Sequence, residues 1–297
     1  MYISPIKSFT SIKNYRNFRF NNRYTKPYRS VSFLGQNDTI QHNYPNNIQN
    51  GIEIGKKVLE LMKSNSLNVE TLSKTLNENS PIPIEIINYL PKETIGDNEI
   101  IANTIVEIDD FNKPVMAHIF ISDPPKTPEK ESYYAATVAH EYTHALQGAK
   151  NEDCQGILNY TNDPDEIMLI AITAQTTLND MIESCFQKFP EDKEERKNIR
   201  NLILNNKFDI EKYMGKIDFD EILSYNSFWR AGELNKPTDE IMNVVKNWII
   251  RETKKEIEAY IVTLDILERS NYDPKTKVNW LLNKEIYSFI NKSLKAL

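Results

Sequence analysis

Residues 135–149 read AATVAHEYTHALQGA, and no other stretch restricts the fold of this chain so much. Ala135, Ala136, Val138, Ala139, Ala145 and Leu146 make it small and apolar at helical spacing. A helix of that composition belongs under cover, beneath a cleft or inside a core. The rest of the chain has to supply its partners. With 297 residues, one large domain or two small ones can be built around it.

Partners are visible on both sides. Before the helix lie two β-branched runs, EIIANTIVEI (99–108) and VMAHIFIS (115–122). The six residues DDFNKP between them are rich in turn formers, so the pair is predicted to be a β-hairpin. Further upstream, GIEIGKKVLELMKS carries a helical stripe at Ile54, Val58, Leu61 and Met62, and NVETLSKTLNEN reads as a second short helix capped by Asn68. After the loop DPPKTPEK the pattern is helical over 129–149, 164–189, 192–206, 218–230, 238–269 and from 277, with Ser, Asp, Thr and Pro at the starts. The expected class is α+β: a mostly helical domain over 51–297 with a small antiparallel sheet just before the apolar helix.

Residues 1–50 have neither period. Seven of the 36 basic residues and none of the 42 acidic ones precede Asp38, and NYRNFRFNNRYTKPYRS is typical of the segment. It is read as a disordered, basic, Asn-rich tail; an arm for an anionic surface and a transit peptide are the other readings of the same residues. The whole chain carries a net charge of -6, which argues against a general nucleic-acid binder. Cys154 and Cys185 are the two cysteines, too few for a disulfide framework. No apolar run approaches a membrane span and none resembles a signal-peptide core. The expectation is a soluble, cytoplasmic protein.

His140 and His144 stand one helical turn apart, so both rings project from one face and can converge on one ion. Two neutral imidazoles and a carboxylate around Zn²⁺ leave a fourth position for water, whose pKa the metal lowers to about 7. Glu141, rotated by about 100° from His140, suits a general base acting on that water and then on the leaving amine. The competing reading is two structural histidines inside a helical core.

AATVAHEYTHALQ resembles the active-site helix of the zincin metallopeptidases, in which a small sheet precedes that helix. The resemblance implies a zinc-dependent peptidase acting on peptide or protein substrates. The metzincin pattern asks for Gly at position 147 and His at 150, where this chain has Gln147 and Lys150. The only other histidines are His42 in the tail and His118 in a strand, so the third ligand is expected to be a carboxylate, the gluzincin arrangement. Glu183 lies too far along its helix. Glu166 fits geometrically but also reads as a first-turn residue complementing a helix dipole. Glu258, in KKEIEAYIVTLDILE, interrupts an apolar run with Asp265 seven residues on, and EIEAY resembles the third-ligand helices of several bacterial gluzincin-like families. The expected metal ligands are therefore His140, His144 and Glu258, with Asp265 as an outer acceptor, Glu256 exposed and Glu166 the alternative. Tyr260, Tyr225 and His118 are candidates for stabilising an oxyanion. The alternative to the enzyme is a helical interaction protein, or a metal-binding but inactive one, with a basic arm.

Overall fold

A computed structural model of the chain describes residues 47–88, 102–109, 113–125, 128–150, 156–190, 192–205, 207–270 and 274–297. The basic tail through residue 46, His42, the start of the first hairpin run and Cys154 lie outside the described residues. The chain divides between Glu152 and Asp153 into two compact units.

The described part of unit 1 opens with α1 (Asn47–Lys63), four residues before the expected start of the domain at residue 51. Its buried stripe is Asn47, Gly51, Ile54, Gly55, Val58, Leu59 and Met62. A short helix, α2 (Val69–Asn77), follows with a reciprocal cap: Thr71 N–H donates to the Asn68 side chain, and the Thr71 hydroxyl accepts from Asn68 N–H. At its far end, the Asn77 side chain pairs with both backbone groups of Ile84, each at 2.8 Å. That amide launches β1 (Ile84–Asn88), a strand absent from the sequence reading.

The hairpin is present as β2 (Ala102–Ile108) and β3 (Pro114–Ile121), paired antiparallel from Ala102↔Ile121 to Val106↔Ala117, with a register slip at Glu107/Ile108. β1 pairs parallel with β3 on its other side, giving the order β1-β3-β2. The sheet is thus mixed rather than purely antiparallel, because the unforeseen strand joins the hairpin from a distance. Alternation decides what each face meets. Ala117, Ile119 and Ile121 are buried, whereas Met116, His118 and Phe120, which alternate with them, are part-exposed.

The apolar helix is α3 (Pro128–Gly148), packed against α1, β2 and β3. Every residue from Tyr134 to Thr143 is buried. Its hydroxyls are satisfied internally: Thr137 donates to the Tyr133 carbonyl and Thr143 to that of Ala139. Gly148 sits where a Cβ would fall 2.4 Å from Val106 Cγ2, so the helix approaches β2 more closely there than a side chain would allow.

Unit 2 is helical throughout its described residues: α4 (Pro164–Phe186), α5 (Lys193–Leu204), α6 (Ile210–Met214), α7 (Phe219–Leu234), α8 (Thr238–Arg269) and α9 (Pro274–Ala296). Asp163, Asp192, Asp209 and Asp218 cap α4 to α7 by accepting from first-turn N–H groups. Asn235 ends α7 in the left-handed region at φ 52, and Pro237 then opens α8. α8 packs against α4, α7 and α9. Mostly helical with one small sheet among the described residues, the protein is α+β. No helix among the described residues is long and apolar enough to cross a membrane.

Candidate metal centre

α3 brings His140 and His144 together. Their Nε2 atoms are 3.1 Å apart, with the rings edge to face. The separation follows from the one-turn spacing, since residues four apart project side by side. Two nitrogens held at 2.0–2.1 Å from one tetrahedral zinc are about 3.3 Å apart, so the pair fits a shared zinc ion with almost no adjustment. His140 is 2% exposed and His144 only partly so. One turn further on, Gln147 Oε1 lies 2.9 Å from His144 Nδ1.

Glu141 lies 5% exposed beside them. Thr104 pairs with Ile119 across the sheet and therefore shares the face that meets α3. Its hydroxyl donates to Glu141 Oε2 at 2.8 Å and approaches the Glu141 carbonyl at 3.0 Å. Burial pushes the Glu141 carboxyl up to about 7, against the pull of the Thr104 hydroxyl, which favours the charged form. A carboxyl poised near neutrality is well suited to taking a proton and giving it back. Burial also raises the Tyr142 phenol to about 12, which keeps it neutral.

The burial of the two α8 glutamates departs from the expectation. Glu258 is one-quarter exposed along its side chain, with Lys254 Nζ 3.9 Å away on the solvent side. Glu256, expected to be the exposed member, is 1% exposed. The correction has a visible cause. Ile241, Val245, Ile249, Glu252, Glu256, Ala259, Thr263 and Ile266 are all buried, a single stripe advancing three or four residues at a time. Glu256 belongs to this stripe, and Glu258 stands about 200° away from it. The phase of the stripe is set upstream of Ile257, where the helix is amphipathic; the apolar run beyond it conceals the face. Asp265 is held by Arg269 one turn later, so it is engaged away from an outer-acceptor role.

Glu166 lies in the first turn of α4, accepting from the Thr161 hydroxyl at 2.6 Å with Lys236 3.4 Å away. That matches its helix-start reading. Glu183 is exposed near the end of α4. Among the oxyanion candidates, Tyr225 is 63% exposed against Trp229, and Tyr260 is a core ring packed on Trp280 and Tyr287. His118 faces away from α3. Its ring nitrogens lie 2.8 Å from Glu85 and 3.2 Å from Glu107, neither with hydrogen-bond geometry.

No protein-family model matches the chain, and no curated protein or solved structure is similar to it.

Proposed function

We propose that the protein is a zinc-dependent metallopeptidase of zincin-like fold, hydrolysing peptide bonds in peptide or protein substrates, with His140 and His144 as two of the metal ligands and a carboxylate as the third. The observation that carries the reading is the pair of imidazole Nε2 atoms 3.1 Å apart on a buried helix, with a buried carboxyl between them in sequence. Glu256 is preferred to Glu258 because it is the carboxylate on the buried stripe of α8. A charge so placed is stable only beside a cation or a metal.

A zinc ion held there supplies a Lewis acid for the scissile carbonyl and lowers the pKa of the attacking water. The protein's own residues do the rest. Glu141 takes a proton from the attacking water as the carbon–oxygen bond forms, and returns it to the amine nitrogen as the carbon–nitrogen bond breaks. Thr104 fixes the carboxyl by its hydrogen bond to Oε2.

The same 3.1 Å contact favours one other reading, an imidazole pair closed on itself. With Nδ1–H of His144 given to Gln147, His140 Nε2–H would donate to His144 Nε2, and the helix would be structural, as in an interaction protein. Elemental analysis of the purified protein, together with thermal unfolding before and after chelation, separates the two. Stoichiometric zinc and a chelator-induced loss of stability are expected. In Glu141→Gln, the metal is expected to stay while kcat for a short peptide falls by about 10²–10⁴. Absence of zinc, or full activity in that variant, refutes the enzyme.

A further inference from the structure

His144 has two nitrogens, and only one can face a metal. The other decides which proton the ring keeps. At 2.9 Å from Nδ1 stands Gln147 Oε1, a carbonyl oxygen that can accept but never donate. The proton is therefore on Nδ1, and in the neutral ring Nε2 keeps its lone pair on the side of His140.

Three features make this contact more than a chance approach. Gln147 is three residues after His144, on the same face of α3, so the two side chains are already neighbours and little entropy is lost in joining them. Gln147 is 4% exposed, so water is poorly placed to substitute for the contact. It is also neutral, and gives His144 an acceptor without adding a negative charge beside Glu141. A glycine at 147, as the metzincin pattern asks, would offer no such acceptor.

We infer that Gln147 is a positioning residue for the metal centre: it holds His144 as the Nδ1–H tautomer and so presents Nε2 to the ion. The working motif is then one turn longer, His140-Glu141-x-x-His144-x-x-Gln147, with its outer support built into the same helix. This inference rests on the zinc reading for its purpose, while the tautomer itself is a property of the metal-free chain.

The test uses the full chain with isotope-labelled histidine, the His144 signals being assigned by their loss in His144→Asn. Long-range proton–nitrogen correlation spectra of metal-free protein at pH 8 report the tautomer directly. Wild type is expected to show Nδ1 protonated. Gln147→Met, which keeps the bulk and loses the acceptor, is expected to give a mixture of tautomers. Its affinity for zinc, measured by competition with a chromophoric chelator, is expected to fall by about 10–100-fold. Gln147→Glu, which restores an acceptor, is expected to recover both the tautomer and the affinity, which a merely space-filling role would not require. A wild-type His144 found as the Nε2–H tautomer overturns the inference, as does a Gln147→Met protein that binds zinc as tightly as wild type. Wild-type protein that binds no zinc refutes the metal reading instead, and the spectra tell the two failures apart.

Discussion

The carboxyl of Glu141 makes the metal-free protein pH-sensitive in an unusual direction. Its ordinary pKa is 4.5 and burial raises it to about 7. Between those values the folded chain holds a proton that the unfolded chain has released, so stability falls as pH rises through the window and levels off above it. At 1.36 kcal/mol per pH unit, the gap of roughly 2.5 units corresponds to about 3 kcal/mol at pH 8. Glu141→Gln removes that cost. The amide never ionises, and its carbonyl can still accept from the Thr104 hydroxyl, which is the carboxyl's partner now. Urea unfolding in the presence of a chelator, read on the transition that melts α3, is expected to show nearly equal stability for the two proteins at pH 4.5. By pH 8 the variant should lead by up to about 3 kcal/mol. Restoring zinc should shrink that lead, because a dication beside the carboxylate favours its charged form. A difference that stays constant from pH 5 to 8, or a wild type that is the more stable at pH 8, would refute the reasoning.

The ligand assignment and the packing of α3 give two further expectations. Glu256→Gln should weaken zinc binding sharply while Glu258→Gln leaves it within about twofold, as measured by chelator competition, since an amide is a poor substitute for a zinc-binding carboxylate; the opposite order returns the role to Glu258. Gly148→Ala should destabilise the protein by about 1–3 kcal/mol through overpacking, because its Cβ would meet Val106 Cγ2 at 2.4 Å. Adding Val106→Ala should recover most of that loss in thermal unfolding, and an unimpaired single variant would show that α3 and β2 can part at no cost.

What the sequence made legible was whatever is written locally. Long helices carry their period over many turns and their caps in single residues, so α8 is found at Thr238–Arg269 against an expected 238–269, and Asn68 and Asp163 cap the helices they precede. The hairpin was legible because turn formers stand between two β-branched runs. β1 was not, for two physical reasons. Five residues between Pro83 and the end of a short run give too little alternation to distinguish a strand from a loop. Its parallel pairing with β3, Ile84↔Ala117 through Asn88↔Ile121, joins segments more than 30 residues apart with no turn to announce it. Such a contact depends on tertiary packing and on the Asn77 side chain that anchors Ile84.

The site divides along the same line. His140, Glu141 and His144 were legible because one turn of helix brings the two rings together whatever else the chain does; the 3.1 Å contact follows from the spacing. Gln147 is equally local, but the role of an amide is defined only by the ring nitrogen it faces. Thr104 required the sheet register, for only its pairing with Ile119 shows that it shares the face that meets α3. The third carboxylate was hardest. Within Ile257–Leu267 apolar residues occupy every direction around the helix, and the run carries no phase from which to tell which glutamate faces inward. The phase lies upstream, in Ile241, Val245 and Ile249, where exposed Asn243 and Asn247 mark the opposite side. Carried forward by threes and fours, it falls on Glu252 and Glu256, and passes Glu258 on the far side. In a long helix the amphipathic end therefore assigns the faces of the uniformly apolar end, because a helix without a kink keeps one phase along its whole length.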